Sequence, residues 1–453
     1  MTATVVLAAG DGKRMHSALP KVLHPLLEKP MLAYVLAALK EAGLGQPLVV
    51  VGRRGDAVEQ AFAGQATFAR QDPPQGTGDA LRVALRHLPA DGRLLVISGD
   101  TPLWRSRTLL DFISAVSAEG SGLVSAELTD PGGYGRIVRK GQDFVGVVEE
   151  RDASDEERQI KEVNAGLYLL QVKLVRSLIG ELDSKNAQGE VYLTDLLGLM
   201  AKAGPFTTFR LEDPAEMSGV NDRRQLAAAN ALLRQRIIDH WLDHGVSVLD
   251  PVSTWIGSDV QLAEDVVIGP GVRIFGQSRV GGGSRIGAAT ELFDAKIGAD
   301  VHIRQSVVED SEIGDRVKIG PFSHLRPGCV VESDVEIGNF AELKNTRIGS
   351  GSKAHHHCYL GDSEIGRKVN IGAGAITVNY DGKVKHRTVI ADGAFIGCNA
   401  NLIAPLVIGE GAYVAAGSTV TQEVPAQSLA VARERQRNIE GWARRRAGSH
   451  KEE

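Results

Sequence analysis

The C-terminal half of the chain repeats every six residues. Three uninterrupted runs of aliphatic side chains keep this step, and glycine directly follows four of the six members of the first run. The runs are Ile256, Leu262, Ile268, Ile274, Val280 and Ile286, then Ile313, Ile319, Leu325, Val331, Ile337 and Leu343, then Ile390, Ile396, Leu402, Ile408, Val414 and Val420. A period of six is neither a helical stripe nor strand alternation, and it is typical of a parallel β-helix with one aliphatic residue per face pointing inward. Thr254 to Gln422 is therefore predicted to form about nine three-sided coils, with a glycine at each corner.

One segment breaks this period. Ile376 to Val389 reads ITVNYDGKVKHRTV, which is polar and basic and contains an Asn-Tyr-Asp-Gly turn. Loops that leave a solenoid tend to lie on its binding face, so the segment is a candidate part of a ligand site. A smaller slip of phase, between Leu360 and Ile365, predicts a bulge or turn.

The N-terminal half alternates short apolar runs with helix-like segments. TVVLAAG, PLVVVG and RLLVISGD have the texture of buried strands, whereas Met31 to Ala42 and Gly78 to Leu88 have that of helices. This alternation predicts a mostly parallel sheet covered by helices, with ligands at the carboxyl ends of its strands.

A helix is predicted between the two halves. Apolar residues recur at helical spacing before Gly245, which indicates a linker helix from Asp222 to His244; they are Leu226, Leu233, Ile237 and Trp241. The predicted domains are residues 1–221, the linker at 222–245, and 246–453 with a basic C-terminal tail.

Composition limits the class of protein. The 453 residues carry a net charge of −5, with a pI near 6.2, which argues against nucleic-acid binding. Three widely separated cysteines, Cys329, Cys358 and Cys398, suit a reducing cytosol. The sequence predicts neither a secretory signal nor a membrane span, so we expect a cytoplasmic protein.

The first predicted strand leads into a glycine-rich loop followed by cations. VVLAAGDGKRMHSALPK contains Gly10 and Gly12, and then Lys13, Arg14 and Lys21. A bare backbone with nearby cations suits a polyphosphate, although neither the dinucleotide nor the P-loop fingerprint is met. Taken alone, a simple glycine turn between a strand and a helix is an equal alternative.

A series of short motifs runs in one order across both halves. The N-terminal half contains LAAGDGKRM, LPK, QGTGDA, SGDTPL, GYGR, VVEERDA, VNAG and GVND, and the C-terminal half contains LRPG, ELKN, YLGD, NIGAG and VNYDG. In this order they resemble the bacterial family of bifunctional N-acetylglucosamine-1-phosphate uridyltransferases and glucosamine-1-phosphate acetyltransferases. The resemblance covers residues 3 to about 442. It implies an α/β Rossmann-like nucleotidyltransferase domain, a linker helix and an all-β domain, a left-handed parallel β-helix.

The resemblance implies an enzyme that makes UDP-N-acetylglucosamine for cell-wall precursors. The C-terminal domain would transfer acetyl from acetyl-CoA to glucosamine 1-phosphate. The N-terminal domain would transfer uridylyl from UTP to N-acetylglucosamine 1-phosphate, with Mg²⁺ as cofactor and release of pyrophosphate. A homotrimer is also implied. The alternatives are a single-activity sugar nucleotidyltransferase with a structural β-helix, and a regulatory scaffold, which would be expected to have lost its phosphate and metal residues.

The resemblance assigns roles in the N-terminal domain. Arg14 and Lys21 would be catalytic, and Asp100 and Asn221 would hold Mg²⁺, although a Gly-Asp-Thr-Pro sequence also suits a helix start. Gln71 would offer both a donor and an acceptor to uracil. The implied UTP and UDP-sugar contacts are Leu7, Ala8, Ala9, Gly10, Lys21, Gln71, Gly76, Thr77, Gly135, Glu149, Asn164 and Asn221.

Two details of this domain stay open at the level of sequence. Lys13 stands where the family commonly has a small hydroxyl residue, and a solvated lysine is its simpler interpretation. Glu149 and Glu150 form an adjacent charge pair that could be merely solvated. On a strand only one of the two would face the sugar, and the resemblance selects Glu149.

The resemblance also assigns the acetyltransferase site. Within AHHHC the resemblance places the catalytic histidine at His356, while His355 and His357 occupy variable positions of the motif. Strand alternation puts His355 and His357 on one face and His356 on the other, which makes a three-histidine metal site poor geometry. Glucosamine 1-phosphate would contact Arg326, Lys344, Tyr359 and Asn370. Acetyl-CoA would contact Ala373, Asn379, Tyr380, Cys398, Ala416 and Arg433, and Cys398 replaces an expected serine with a weaker hydrogen-bond partner.

Overall fold

The computed structural model describes residues 2–10 and 12–448, which form two compact units, Met1–Leu233 and Arg234–Glu453. The division falls inside one long helix, Arg223–Asp243, close to the predicted linker. The domain limits at residues 221 and 245 stay predictions. Residues 449–453, the end of the predicted basic tail, lie outside the described residues. Within those residues, every helix is too short or too polar to cross a lipid bilayer.

The N-terminal unit contains a nine-stranded mixed sheet in the order β9-β5-β8-β4-β1-β2-β3, with β6 paired to β8 and β7. Its strands are β1 Thr2–Ala8, β2 Leu48–Val51, β3 Thr67–Arg70, β4 Arg93–Ser98, β5 Ser121–Glu127, β6 Arg136–Lys140, β7 Asp143–Val148, β8 Glu162–Gln171 and β9 Phe206–Arg210. Strands β1 to β4 pair in parallel, whereas β8 runs antiparallel to β4 and β5. Buried Val, Leu and Ile along β1, β2 and β4 lie between two helical layers, as expected of a parallel sheet.

The helices of this unit cover both faces of the sheet. They are α1 Met31–Glu41, α2 Gly55–Ala61, α3 Thr77–Leu85, α4 Ser106–Ala115, α5 Val172–Leu178 and α6 Leu193–Ala203, and α7 Arg223–Asp243 follows them. One apolar cluster joins α1, α2 and α4 to the sheet, and another joins α3, α5 and α6 to it. The helices predicted near residues 31–42 and 78–88 correspond to α1 and α3.

The Arg234–Glu453 unit is a three-sided parallel β-helix whose faces are three parallel sheets. Face A has the strands Ser247–Val248, Val267–Ile268, Arg285–Ile286, His302–Ile303, Lys318–Ile319, Glu336–Asn339, Lys353–His356, Asn370–Ile371, Phe395–Ile396, Tyr413–Val414 and Leu429–Ala430. Face B has Trp255–Ile256, Arg273–Phe275, Glu291–Phe293, Val307–Glu309, His324–Leu325, Glu342–Lys344, Tyr359–Gly361, Ile376–Val378, Asn401–Ile403 and Thr419–Val420. Face C has Gln261–Leu262, Arg279–Val280, Lys296–Ile297, Glu312–Ile313, Val330–Val331, Arg347–Ile348, Ser363–Ile365, Thr388–Ile390 and Leu406–Ile408.

The aliphatic residues that set the period fill the centre of these coils. The side chains of Ile256, Ile268 and Ile274, for example, have no exposed area, and the single core cluster continues to Val424. A short helix, α8 Trp442–Gly448, follows the last coil. The predicted coil architecture is confirmed.

The corners correct the prediction that each is eased by a glycine. Most glycines directly after an inward residue have no left-handed backbone, with Gly320 (φ 89°) as an exception. They are needed for space, since a Cβ on Gly269 would lie 2.7 Å from the Ala288 nitrogen. Several left-handed corner positions are instead aspartate or asparagine, such as Asp294 (φ 49°) and Asn345 (φ 46°). Short polar residues tolerate this backbone better than most others, and here Asp294 Oδ1 also accepts the Gln277 N–H of the neighbouring coil at 2.7 Å.

The two predicted breaks in the period are turns of different size. Asp362, with φ 48°, turns the chain between Tyr359–Gly361 and Ser363–Ile365, where one residue is missing from the repeat. The larger break begins after Ile376–Val378 and ends before Thr388–Ile390. We call residues 379–387 the inserted hairpin, because Tyr380 and Lys385 form an antiparallel bridge within it.

Candidate active sites

A cleft of about 570 Å³ opens at the carboxyl ends of the central strands of the N-terminal unit. Its walls include every residue predicted to bind the nucleotide base, the phosphates or the metal. These are Leu7, Ala8, Ala9, Gly10, Arg14, Lys21, Gln71, Gly76, Thr77, Asp100 and Asn221. Lys13 and Glu190, to which sequence analysis gave no role, also line it.

The glycine loop after β1 brings cations to the cleft by close packing. Gly12 has a left-handed backbone, φ 62°, and a Cβ there would lie 2.9 Å from the Lys21 Cβ. The chain then forms a 3₁₀ turn, Lys13–Met15, whose Met15 side chain is buried and leaves Arg14 exposed beside the cleft. The glycine therefore allows the Arg14 and Lys21 segments to pack together.

Gln71 and the Gly76 turn form the opposite wall. Gln71 is only 2% exposed, and its Nε2 donates to the Gly76 carbonyl at 3.0 Å and to Asp79 Oδ2 at 2.8 Å. Both amide hydrogens are thus used within the protein, which leaves only the Oε1 acceptor for a ligand, in contrast to the predicted donor and acceptor pair. Gly76, at φ 109°, is held against Val191, whose carbonyl oxygen would lie 2.5 Å from a Cβ.

Lys21 links the two predicted metal ligands. Its Nζ is ion-paired with Asp100 and donates to Asn221 Oδ1 at 3.0 Å. The backbone fixes this approach, since the Val220 N–H donates to the Asp100 carbonyl oxygen at 2.9 Å. Asp100 does not cap a helix, because α4 begins six residues later, at Ser106. One cation can therefore contact both the Asp100 carboxylate and the Asn221 amide oxygen.

The residues predicted for the sugar form a second cluster beside β6 to β8. The Asn164 N–H donates to the Gly135 carbonyl at 2.9 Å, and a Cβ on Gly135 would lie 3.4 Å from Glu149 Oε2. Thr194 Oγ1 donates to Glu149 Oε1 at 2.8 Å. Burial, and then the charge of Asp100, raise the pKa of Tyr134, the residue before Gly135.

The two adjacent glutamates differ although neither lies on a strand. Both follow β7, which ends at Val148. Glu150 accepts bonds from the Gly133 N–H and from Arg136, and these lower the pKa of Glu150. Burial raises the pKa of Glu149, opposed by the Thr194 bond. Glu149 is thus the desolvated member of the pair, and Glu150 is a structural ion-pair partner.

We expect Glu149→Gln to be more heat-stable than the wild type at pH 8, by a few degrees, on the order of 2–4 °C. Because the folded-state pKa of Glu149 is raised, its contribution to stability is present at low pH and is lost as pH rises from the unfolded value through the folded one. The gain should therefore shrink toward pH 5. Glu150→Gln is the matched control: its pKa is lowered, so this variant should lose stability at pH 8. Calorimetry across this range measures both, and a Glu149→Gln midpoint that does not depend on pH relative to wild type would contradict the assignment.

On the β-helix, face B carries the cations predicted for the sugar phosphate. Arg326, Lys344 and Tyr359 belong to three successive coils of this face, and Arg326 Nη1 donates to Glu342 Oε1 at 3.0 Å. Contact with the ammonium of Lys385 lowers the pKa of Lys344. Lys385 belongs to the inserted hairpin, so three cations converge at one place. Lys385 was not among the predicted site residues, and the signal that pointed to it was the basic character of the insertion.

The inserted hairpin is stabilised by hydrogen bonds within itself and by one to the preceding coil. Asp381 Oδ1 accepts the N–H groups of Lys383 and Val384, and Asp381 Oδ2 lies 2.7 Å from His386 Nε2. Asn379, predicted to contact acetyl-CoA, donates to Asp362. Tyr380 is exposed, and its hydroxyl donates to the Gly382 carbonyl. The hairpin thus presents Lys385 from a fixed backbone.

The other predicted acetyl-CoA residues stack along the corner between faces A and B. The Asn399 N–H donates to the Ala373 carbonyl at 2.7 Å, and the Gly417 N–H donates to the Cys398 carbonyl at 2.8 Å. Arg433 Nη1 continues the column with a bond of 2.9 Å to the Ala416 carbonyl. Cys398 is exposed in this column. Asn370, predicted for the sugar, lies on face A.

The three histidines have separate environments. His355 Nε2 lies 2.8 Å from Glu336 Oε2, and His356 Nδ1 lies 2.9 Å from Asn339 Oδ1. His357 has a left-handed backbone, φ 41°, so the predicted strand alternation stops at His356. Burial raises the pKa of the neighbouring Cys358 thiol to about 12, which makes it a poor metal ligand.

A mixed sheet with a parallel centre and a cation-lined cleft, followed by a hexapeptide β-helix, defines a nucleotidyltransferase joined to a hexapeptide transferase. The MobA-like NTP transferase domain matches residues 4–163. The bacterial transferase hexapeptide (six repeats) matches residues 310–345 and 387–422.

Curated relatives extend over almost the whole chain. The bifunctional protein GlmU of Caldanaerobacter subterraneus subsp. tengcongensis is 44% identical over 446 residues, which cover 98% of each chain. That of Trichlorobacter lovleyi is 44% identical over 450 residues, again 98% of each. That of Acetivibrio thermocellus is 43% identical over 443 residues, which cover 97% of this chain and 96% of the relative. The chain belongs to the GlmU family of bifunctional proteins.

Membership of this family confirms the predicted architecture, including the left-handed β-helix, and both predicted activities. The chain is an acetyltransferase and a uridyltransferase of UDP-N-acetylglucosamine synthesis. The single-activity alternative and the scaffold alternative are therefore set aside. Nucleotidyltransferases of this kind use a divalent metal.

Proposed function

We propose that the cleft residues carry uridylyl transfer with Mg²⁺, that His356 carries acetyl transfer, and that three chains together complete each acetyl site. The observation that supports the first part is the convergence of all predicted nucleotide and metal residues on one cleft. UTP would lie with its base against Gln71 Oε1 and the Gly76 turn. Its triphosphate would then face Arg14 and Lys21.

The uridylyl step needs positioning and neutralisation of charge more than acid or base catalysis. A phosphate oxygen of N-acetylglucosamine 1-phosphate attacks the α-phosphorus of UTP, the bond from that phosphorus to the bridging oxygen breaks, and pyrophosphate leaves. Arg14 and Lys21 stabilise the charge that builds on the phosphates. Gly135, Glu149 and Asn164 would hold the sugar, with the desolvated Glu149 as a hydrogen-bond acceptor.

The donor set fits Mg²⁺. Asp100 and Asn221 offer a carboxylate and an amide oxygen, which magnesium prefers, and both already contact one cationic atom, Lys21 Nζ. When bound, Mg²⁺ would supply positive charge to the triphosphate oxygens. Lys21 would then turn from Asp100 toward the phosphates.

The acetyl step needs a base beside an anion site. The amine nitrogen of glucosamine 1-phosphate attacks the thioester carbon of acetyl-CoA and His356 takes the proton from nitrogen. The C–S bond then breaks, and the departing CoA thiolate takes up a proton, which the imidazolium can return, to give the CoA thiol. Arg326, Lys344 and Lys385 would bind the sugar phosphate. Tyr359 and Asn370 would orient the sugar. The thioester arm would follow the corner column from Ala373 past Cys398 to Ala416 and Arg433.

The test of this proposal follows two products in one mixture. The purified protein is incubated with glucosamine 1-phosphate, acetyl-CoA, UTP and Mg²⁺, and free thiol and pyrophosphate are measured separately. We expect both products. A chelator should abolish pyrophosphate release and leave thiol release unchanged, and an equal loss of both would contradict the placement of the metal in the N-terminal cleft.

A shared acetyl site predicts complementation between two inactive variants. His356 and Arg326 lie on open surface in a single chain, so we expect neighbouring subunits to enclose the substrates. His356→Ala mixed with Asn379→Ala under subunit exchange should regain thiol release, since a mixed trimer can assemble one intact site from two chains. Each variant alone is the control. No recovery despite verified exchange would place both residues in one chain's site.

A further inference from the structure

His356 has a dedicated partner on the preceding coil. Asn339 and His356 are the last residues of adjacent parallel strands on face A and are register partners. Asn339 Oδ1 lies 2.9 Å from His356 Nδ1. The carbonyl oxygen of Asn339 also accepts the N–H of His357 at 2.9 Å. Asn339 thus holds both the imidazole and the turn that follows it.

A glycine permits this close approach. A Cβ on Gly338 would clash with the carbonyl oxygen of His355 on the next coil, so the two strands can meet here only because this position lacks a side chain. Adjacent strands lie about 4.8 Å apart, and the short asparagine side chain bridges that spacing to the ring. The pairing is therefore a consequence of the strand register.

We propose that Asn339 is a positioning residue that fixes the tautomer of His356, with the proton on Nδ1 and the lone pair on Nε2. This inference rests on the proposed role of His356 in acetyl transfer. The amide oxygen can only accept, so Nδ1 must donate to it. Nε2 of His356 is then the basic nitrogen, and the bond from Nδ1 to Asn339 also fixes the plane of the imidazole ring.

The neighbouring histidine shows the contrast. His355 uses Nε2 itself, 2.8 Å from the Glu336 carboxylate, so its outer nitrogen is already engaged. Asn339 binds the inner nitrogen of His356 and leaves the outer one available. The acceptors one coil below therefore distinguish two adjacent histidines whose sequence context is otherwise alike.

The titratable groups nearest to His356 in the register of face A lie on its own strand and on the coil below. Its own strand contributes Lys353 and His355, whose ring lies 5.8 Å from that of His356. The coil below contributes Glu336, and the coil above contributes the uncharged Asn370. The amide of Asn339 adds no charge. A carboxylate at position 339 would be a new anion in direct contact with the ring.

The first experiment removes the acceptor. Asn339→Ala should lower kcat for acetyl transfer by about tenfold, less than the ~10² to 10⁴ expected for losing the base itself, with little change in KM for either substrate. Pyrophosphate release, measured in the same preparation, should be unchanged and reports a folded protein. Glu309→Gln is the matched control, since it alters the equivalent partner of His324 two coils away on face B; it should leave acetyl transfer unaltered.

The second experiment measures how a charge at position 339 changes the pH dependence of acetyl transfer. Asn339→Asp keeps an acceptor for Nδ1 but adds a negative charge, which favours the protonated ring. We expect it to recover most of the activity at high pH while the acidic limb of kcat/KM shifts upward by about one pH unit. A profile identical to wild type for Asn339→Asp, together with full kcat for Asn339→Ala, would overturn the proposal.

A double variant separates this inference from the proposed function. If Asn339 acts through His356, Asn339→Ala should cost nothing further in a His356→Ala background. An additional tenfold loss there would show that Asn339 acts by another route. If His356→Ala alone retained full acetyl transfer, the proposal that His356 is the base would be wrong. If His356→Ala lost acetyl transfer but Asn339→Ala and Asn339→Asp both behaved like wild type, only the proposal for Asn339 would be wrong.

Discussion

His356→Ala is expected to lower acetyl transfer by about 10² to 10⁴, the range for loss of a general base. The amine must lose a proton as it attacks the thioester, and in the proposed site His356 is the group that takes it. Thiol release at saturating acetyl-CoA and glucosamine 1-phosphate measures the loss. Uridylyl transfer from UTP to added N-acetylglucosamine 1-phosphate should be preserved.

The adjacent histidine supplies the control for that result. His355→Ala removes an imidazole from the same strand, but one whose outer nitrogen is engaged by Glu336. We expect its acetyl transfer to stay within about threefold of wild type, well below the effect of losing a general base. Similar losses in the two variants would mean that the strand, and not the base, had been perturbed.

Asp100→Asn is expected to lower uridylyl transfer by a factor on the order of 10² or more, because the metal loses its anionic ligand. The same change removes the carboxylate that now pairs with Lys21. Pyrophosphate release measures the effect, and thiol release should stay near wild type.

An exposed carboxylate provides the matched change. Asp91→Asn makes the same substitution at an aspartate that does not line the cleft and lies 3.7 Å from Lys173 at the surface. Its pyrophosphate release should be unaltered, since exposed ion pairs contribute little. If Asp100→Asn retained wild-type pyrophosphate release, the metal assignment would be wrong.

The fold could be predicted because its signals are periodic. Aliphatic residues that recur every six positions identify the inward side chains of the β-helix from Ile256 to Val420, because each coil needs an apolar side chain at the same buried position of each face. The corners could not be predicted as well. Glycine can serve a corner either by its backbone or by its missing Cβ, and Gly269 serves by the second. Asp294 and Asn345 took the left-handed positions instead.

The candidate sites show the same limit. Residues next to a strand end, such as Arg14 and Asp100, could be assigned because motif and topology agree. Lys385 was missed because its meeting with Lys344 depends on how the inserted hairpin folds back. Asn339 was missed because its partner is 17 residues away, one coil further along. Contacts between coils follow the register of the coils, which a local motif does not contain.

The expectation for Gln71 failed for a related reason. A glutamine in a motif offers a donor and an acceptor, but its neighbours decide which of these remain. Here Gly76 and Asp79 use both amide hydrogens, so the wall presents an acceptor only. Hydrogen-bond inventories limit what a side chain can do, and the folded surroundings set what it does.

The most direct test of two separate active sites mixes Asp100→Asn protein with His356→Ala protein. Glucosamine 1-phosphate, acetyl-CoA, UTP and Mg²⁺ are supplied, and UDP-N-acetylglucosamine is measured. Each variant alone should make almost none. The mixture should make it, because N-acetylglucosamine 1-phosphate released by the first protein is used by the second. No product from the mixture, although the Asp100→Asn protein still releases thiol and the His356→Ala protein still releases pyrophosphate from added N-acetylglucosamine 1-phosphate, would contradict two independent sites joined by a diffusing intermediate.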